Sequence, residues 1–420
     1  MNQPVELAPG LAATQPGQPA WGRGPSARYE ALAAPFRPVF ARIAEGAVER
    51  ERTRTLPYAE IAMLKAARFG AVRLPVAEGG LGASLAETAA LLIELAEADS
   101  NVAQILRLHV GVVENFITST DGAFRDRWLP QVAAGAIWGG AFTERGAAKA
   151  GTFATRLAPE GTDWLLDGEK FYSTGSLFAD WLDIMGIGPG ETWLMATVEA
   201  GAAGVEQIDD WDGFGQQMTG SGTSIFRGVR LPADQVRPVE GRFRHEAGLY
   251  QMVHLATLTG IARAAARDVA GLVARRTRTF SHANGRVSRQ DPQVLQVVGQ
   301  VHAAAYAAGA ITRSVAEALD HACAAARSGE EAVIEAANVA AEIEAAQGQS
   351  VVCRLVLDAT TVLFDALGAS ALAKGIALDR HWRNARTIAN HNPVIYKERV
   401  VGDHAVNGTA PPFLWFPGEG

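Results

Sequence analysis

The period of the apolar residues changes twice along this chain, and no other feature limits its possible folds as much. From about Ser26 to Trp138, apolar residues return every three or four positions, the spacing of helices that bury one face. Between about 136 and 240 the text breaks into short, aromatic-rich runs such as AIWGGAFTE, WLLDGEKFYSTG, DWLDIMGIG, TWLMATVEA and SIFRGVRL. Gly, Pro and Asp turns separate these runs, so they read as strands. From Glu246 onward the helical period returns. Helices, then strands, then helices predict an α+β, multi-domain chain rather than a doubly wound sheet. The expected layout is a flexible leader (1–27), an N-terminal helical domain (28–138), a central β-barrel or sandwich (139–240), a C-terminal four-helix bundle (241–410) and a tail (411–420).

Local signals sharpen the layout. Gly70 is placed to end a helix, and Ser84 with Glu87 three residues on predicts a capping box. Asp99-Ser100-Asn101 breaks one helix and caps the next. Hairpin turns are expected at Glu160-Gly161 and Pro189-Gly190. Later helices are expected over about 292–327, 330–367 and 370–390, and Pro393 predicts a break after His391-Asn392.

Composition excludes several classes. A net charge of −7 and a pI near 5.8 argue against a nucleic-acid binder. Cys323 and Cys353 have neither zinc-ligand spacing nor the look of a disulfide framework, which fits a reducing cytoplasm and predicts no metal site. No signal peptide is legible, and the apolar windows look too short and too charged to span a bilayer. Neither a GxGxxG nor a P-loop follows a strand.

Several stretches could carry chemistry. AFTERGAAKAG (141–151) and KFYSTGSLFADW (170–181) place hydroxyls and backbone N–H groups at strand ends, where they can line a flat heteroaromatic ligand. DDWDGFGQQMTGSGT (209–223) combines stacking rings with glycines that permit close backbone approach. Arg275, Arg276 and Arg278 end a helix; they complement its dipole or hold a phosphate. His391 stands at a helix terminus, and His109 is a lone histidine between Leu108 and Val110.

Together these segments resemble the acyl-CoA dehydrogenase superfamily from about 28 to 410. AFTERGAAKAG resembles that family's Thr-Glu flavin segment, KFYSTGSLFADW its Lys-x-x-Ile-Thr-Asn-Gly segment, and RTRTF its arginine–phenylalanine phosphate segment. DALGASALAKGIALDRHWRNAR resembles its Gly-rich segment and the Arg-Asp-Ala-Arg helix behind it. A dehydrogenase in this family keeps a catalytic Glu nine residues after the arginine corresponding to Arg383, or ten before the glycine corresponding to Gly260. Here those positions hold Asn392 and Tyr250.

His391-Asn392-Pro393 followed by Tyr-Lys and Gly-Asp is instead similar to the flavin-dependent monooxygenases of this fold. That resemblance implies reduced FMN (FAD as the alternative) delivered by a separate NAD(P)H flavin reductase, and oxygen transfer through a flavin C4a-hydroperoxide. The substrate would be a small organosulfur, amine or aromatic compound, and the assembly a homotetramer. It further implies catalytic roles for His391, Asn392, Ser173 and Ser176. Flavin contacts would come from Phe142, Thr143, Ser173, Thr174, Trp211, Arg278, Phe280 and Gly368, and a substrate pocket from His109, Tyr250 and His391. The other readings are an FAD-dependent dehydrogenase or oxidase with its base elsewhere, and a flavin-binding homologue without activity.

Overall fold

In the computed structural model, residues 21–145, 153–240 and 242–413 are described. The N-terminal module holds eight helices: α1 (Tyr29–Ala33), α2 (Arg37–Glu45), α3 (Ala47–Thr53), α4 (Tyr58–Ala66), α5 (Leu85–Ala98), α6 (Ser100–Ile105), α7 (Arg107–Thr118) and α8 (Gly122–Ala133). The capping box forms as the sequence predicts, with Ser84 and Glu87 exchanging side-chain and backbone bonds at the start of α5. The Asp99 carboxylate accepts from the Asn101 N–H and caps α6. Gly70 caps nothing: α4 ends at Ala66, and Gly70 sits in a later turn where a Cβ would lie 2.4 Å from the His109 ring. Of the leader, residues 1–20 lie outside the described residues, but Trp21 stacks on His302 and Ser26 bonds Glu87. The described end of that stretch is therefore pinned to the helices.

The β module contains β1 (Trp138–Ala141), β2 (Arg156–Glu160), β3 (Asp163–Lys170), β4 (Trp181–Ile187), β5 (Trp193–Glu199), β6 (Val205–Ile208), β7 (Thr223–Pro232) and β8 (Val236–Pro238). They pair in the order β6-β7-β3-β2-β4-β5-β8, with β1 parallel to β4. The expected closed barrel is corrected: β6 and β8 are short, stand at opposite ends of the order, and do not pair, so the sheet is open. The β2–β3 turn centres on Gly161-Thr162, one residue later than predicted, because Glu160 and Asp163 still pair and Gly161 takes a positive φ.

Trp128, Trp138, Trp181 and Phe116 stack between α7–α8 and the sheet, welding the first two modules. The core of the last module is α9 (Glu246–Arg275), buried around most of its circumference from Leu249 to Ala266. A helix apolar on all sides belongs at a protein's centre. It packs against α5, α10 (Pro292–Ala325) and α11 (Glu331–Val362).

The expected fourth helix over 370–390 is instead α12 (Arg380–Ala389), followed after Pro393 by α13 (Val394–Asn407). The fourth bundle position is thus split, with α12 on α9 and α11, and α13 on α11. One further expectation fails. The helix α10 is long and apolar enough to cross a membrane by length and composition, because its many alanines raise hydropathy without bulk. Here it is a bundle helix packed along α9 and α11.

Candidate functional site

Residues 100–108 form the point where the three modules meet. From the sheet side, Gln216 Nε2 donates to Ser100 Oγ at 3.2 Å and the Met218 N–H donates to Asn101 Oδ1 at 3.3 Å. The Gln216 N–H also donates to Asn384 Oδ1 on α12 at 2.6 Å. Gly215 lies so near α12 that a Cβ would come 2.2 Å from the Arg383 carbonyl oxygen. The 173–176 turn rests on the end of α6, where Gly175 (φ +82°) would push a Cβ to 2.6 Å from the Ile105 oxygen. Gly175→Ala therefore combines a strained φ with a backbone clash. It is expected to cost about 1–3 kcal/mol, read as a lowered urea midpoint.

The hydroxyls of this turn divide. Thr174 faces inward, bonded to Ser221, which meets Thr219 in turn. Ser173 is fully buried, and its Oγ has no partner among the described residues. Ser176 is buried beside it, its backbone N–H bonded to the Ser173 carbonyl. A buried hydroxyl without a partner costs roughly 1–3 kcal/mol, which a ligand polar atom would recover.

Thr143 closes the adjoining strand end by exchanging backbone and side-chain bonds with Phe171. The Phe142 carbonyl accepts from Lys170 at 3.4 Å. Lys170 also pairs with Glu144 at 2.8 Å, and burial pushes its ammonium down to about 8. The rest of the 141–151 segment, from residue 146, lies outside the described residues. Trp211 packs on Tyr172 beside the turn, its indole N–H donating to the Gly215 carbonyl.

On the other side of α6 lies Asn392, at one of the two positions where the dehydrogenases that the sequence resembles carry their base. Asn392 Nδ2 donates to Gln251 Oε1 at 3.2 Å, next to Tyr250 on α9, and the Asn392 carbonyl accepts from Gln349. Asn392 Oδ1 in turn lies 3.3 Å from His391 Nδ1. An amide oxygen only accepts, so Nδ1 carries the proton and Nε2 keeps a free lone pair. The His391 side chain keeps much of its surface accessible, with the His254 ring against it. Burial and nearby Arg107 push it down to about 3, which leaves it neutral near pH 7.

His254, four residues after Tyr250 on the same face of α9, packs 4.4 Å from the His391 ring centroid. Its Nε2 accepts from Gln104 on α6 at 3.3 Å. Burial also holds His254 well below its usual range. Neither Asn392 nor Tyr250 is a carboxylate, and Glu246, one turn before Tyr250, is paired with Arg242 at 2.9 Å.

His109 is placed elsewhere. Its Nε2 meets the Gly70 carbonyl at 3.0 Å and its Nδ1 accepts from the Trp138 N–H at 3.2 Å. Both nitrogens are occupied, so the ring joins α7 to the sheet and has no proton to exchange. Burial pushes it down to about 4 against an ordinary 6.5. Because the folded value is the depressed one, the unfolded chain binds the extra proton between those limits. Stability is therefore complete above about pH 6.5 and falls as pH drops through that window. We expect a loss of about 2 kcal/mol from this group at pH 5, checked by comparing unfolding of the native protein and His109→Gln at pH 7 and 5.

Arg278 and Phe280 lie past the far end of α9. Counting from Tyr250 at 1.5 Å per residue, that is about 38 Å along the helix, beyond the reach of one mononucleotide. There Arg276, not Arg278, is held: it donates to the Leu367 carbonyl at 2.7 Å, beside Gly368 and Phe280. The Arg278 side chain is exposed. Within one chain these residues do not share the His391 site.

Sequence reasoning also missed Gln104, Arg107, Gln251 and His254. The legible signal was a polar group inside an apolar helical run, as in ILRLHV and QMVHLATL. Glu114, His245 and Cys323 form the one cluster among the described residues with metal-ligand atoms near one another. Arg73 already pairs with Glu114 at 2.9 Å, and a cation there would meet that charge.

Comparisons with known proteins now bear on this geometry. Residues 29–136 match the acyl-CoA dehydrogenase N-terminal domain and 252–395 the acyl-CoA dehydrogenase C-terminal domain. A probable FMNH2-dependent monooxygenase, SfnC of Pseudomonas putida, is 28% identical over 397 residues, 89% of this chain and 94% of its own. TdsC of Paenibacillus sp. A11-2, solved with FMN and indole, superposes with a TM-score of 0.82 at 25% identity, covering 91% of this chain and 98% of its own. Methanesulfinate monooxygenase MsuC of Pseudomonas fluorescens gives 0.81 at 26% identity over 91% and 98%. The two domain matches flank the open sheet and together take in more than half of the residues, and the chain belongs to the acyl-CoA dehydrogenase family.

Proposed function

We propose that this chain is a two-component monooxygenase. It would use reduced FMN from a separate NAD(P)H flavin reductase and insert one oxygen atom from O2 into a small organosulfur, amine or aromatic substrate. The observation that carries this reading is the His391–Asn392–Gln251 chain at the position where a dehydrogenase keeps its carboxylate. Removing a proton α to a thioester needs a carboxylate base there, and neither Asn392 nor Tyr250 supplies one.

The fit to a flavin rests on buried polar atoms left without a partner among the described residues: Ser173 Oγ on the sheet side of α6, and Tyr250 Oη and Arg107 Nε on its helical side. Reduced flavin supplies the electrons that activate oxygen. Ser173, with the backbone of the 173–176 turn, would hold its ring system, and Thr143 and Phe142 would close the strand end beside it. Trp211 would cover the edge. His391 would accept and return a proton at Nε2, oriented by Asn392, while Tyr250 and His254 wall the site against water. In a homotetramer, Arg276, Arg278, Phe280 and Gly368 would serve the flavin of a neighbouring subunit.

The second reading, an FAD-dependent acyl-CoA dehydrogenase, is supported by the family match alone. A spectroscopic test separates the two. Protein loaded with FAD and mixed anaerobically with acyl-CoA substrates should keep its flavin absorbance, and bleaching would overturn the monooxygenase reading.

A further inference from the structure

Arginines enclosed by a protein normally bring an anion with them, because an unpaired charge in a poorly hydrated site is costly. The chain follows this rule at Arg50 with Asp99, Arg73 with Glu114, Arg237 with Asp183 and Arg242 with Glu246. Arg107, at the start of α7, departs from it. No hydrogen bond or ion pair reaches its guanidinium from the described residues, and its Nε is buried without a partner. Its one close neighbour is the face of Tyr250, 4.6 Å from ring centroid to guanidinium carbon. That contact is worth about 2 kcal/mol at most, less than the charge's desolvation. The nearby Glu246 is committed to Arg242. Gln104 Oε1 and Tyr250 Oη are also unpartnered among the described residues, and Arg107 is close enough to His391 and His254 to add to the lowering that burial causes in both rings.

We propose that Arg107 is the receptor for an oxoanion group on the substrate, a sulfinate, sulfonate or carboxylate. The substrate class is then a small organic anion, not a neutral aromatic. This deepens the monooxygenase reading and rests on it for the identity of the site. The planar fork of a guanidinium matches two oxygens of such a group, and the open lone pairs of Gln104 and Tyr250 can order water around a third. The flavin phosphate is the other oxoanion available. It belongs at the far end of the ribityl chain, whereas Arg107 stands with His391 at the reacting end.

Binding can be measured without turnover. Calorimetry on the flavin-loaded protein should show methanesulfonate and benzenesulfonate binding more tightly than dimethyl sulfone and methyl phenyl sulfone. Arg107→Met should weaken the sulfonates about 10–100-fold and leave the sulfones unchanged. Arg107→Lys, which keeps the charge but loses the fork, should fall between. The affinity ratio of FMN to riboflavin should be the same in all three proteins.

The proposal is overturned if the native protein shows no preference for the anion. It is equally overturned if Arg107→Lys and Arg107→Met, both folded by their melting curves, bind sulfonates like the native protein. A loss of FMN affinity relative to riboflavin in Arg107→Met would assign the arginine to the flavin phosphate instead. Intact sulfonate binding without oxygen transfer to any substrate would sink the monooxygenase reading alone.

Discussion

Replacing His391 by alanine is expected to lower oxygenated product per reduced flavin consumed by about 10²-fold or more, with the missing oxygen released as hydrogen peroxide. The reason lies in the bonding of the ring. Asn392 fixes the proton on Nδ1, so that Nε2 is the nitrogen that would exchange a proton in the proposed reaction. His391→Ala also opens the His254 face of the site to water. Flavin binding should change little, since Ser173 and its turn lie on the other side of α6. Product yield, peroxide release and flavin affinity, measured side by side, check this. An unchanged coupling ratio would remove His391 from proton handling.

The largest effect on stability is expected at Asp99. One oxygen accepts from Arg50 Nε and Nη2 at 3.1 and 2.8 Å, and the other accepts from the Asn101 N–H that starts α6. Asp99→Ala strands a buried guanidinium and removes a helix cap together. Glu60 remains on Arg50 at 2.7 Å, which places the expected loss near the lower end for a broken buried pair, about 3 kcal/mol. Asp99→Asn retains the cap and should recover about 1 kcal/mol of that in urea unfolding. Because α6 carries Gln104 and leads into Arg107, both variants should also loosen sulfonate binding. Equal midpoints for native and Asp99→Ala would refute this account of the hub.

The sequence made the order of modules readable, because apolar period depends on local burial and needs no tertiary information. The same holds for the Ser84–Glu87 box and the Asp99 cap, which are short-range hydrogen bonds. Closure of the sheet was not readable: it depends on whether β6 and β8 meet, and their few residues carry no pairing register. The split of the fourth bundle helix was half visible, through Pro393 but not through the long turn before Arg380.

For the site, motif resemblance led to His391, Asn392 and the Ser173 turn. Linear motifs report neither the distance between the residues they name nor the partners those residues take. Arg278, Phe280 and Gly368 sit a full helix length from Tyr250, and both ring nitrogens of His109 are spent on backbone groups. Arg107 was hidden because an arginine in a helix usually finds a partner. That it has no hydrogen-bond or ionic partner among the described residues becomes visible only when its neighbours are placed.

The central claim is that the site carrying His391 transfers oxygen and does not remove hydride. It is tested most directly by supplying the protein with FMN, NADH, a flavin reductase, 18O2 and a panel of small sulfinates and sulfonates. The account predicts one 18O atom per oxygenated product, lost with His391→Ala. Unlabelled product, or label only in peroxide and water with the native protein across the panel, would contradict it.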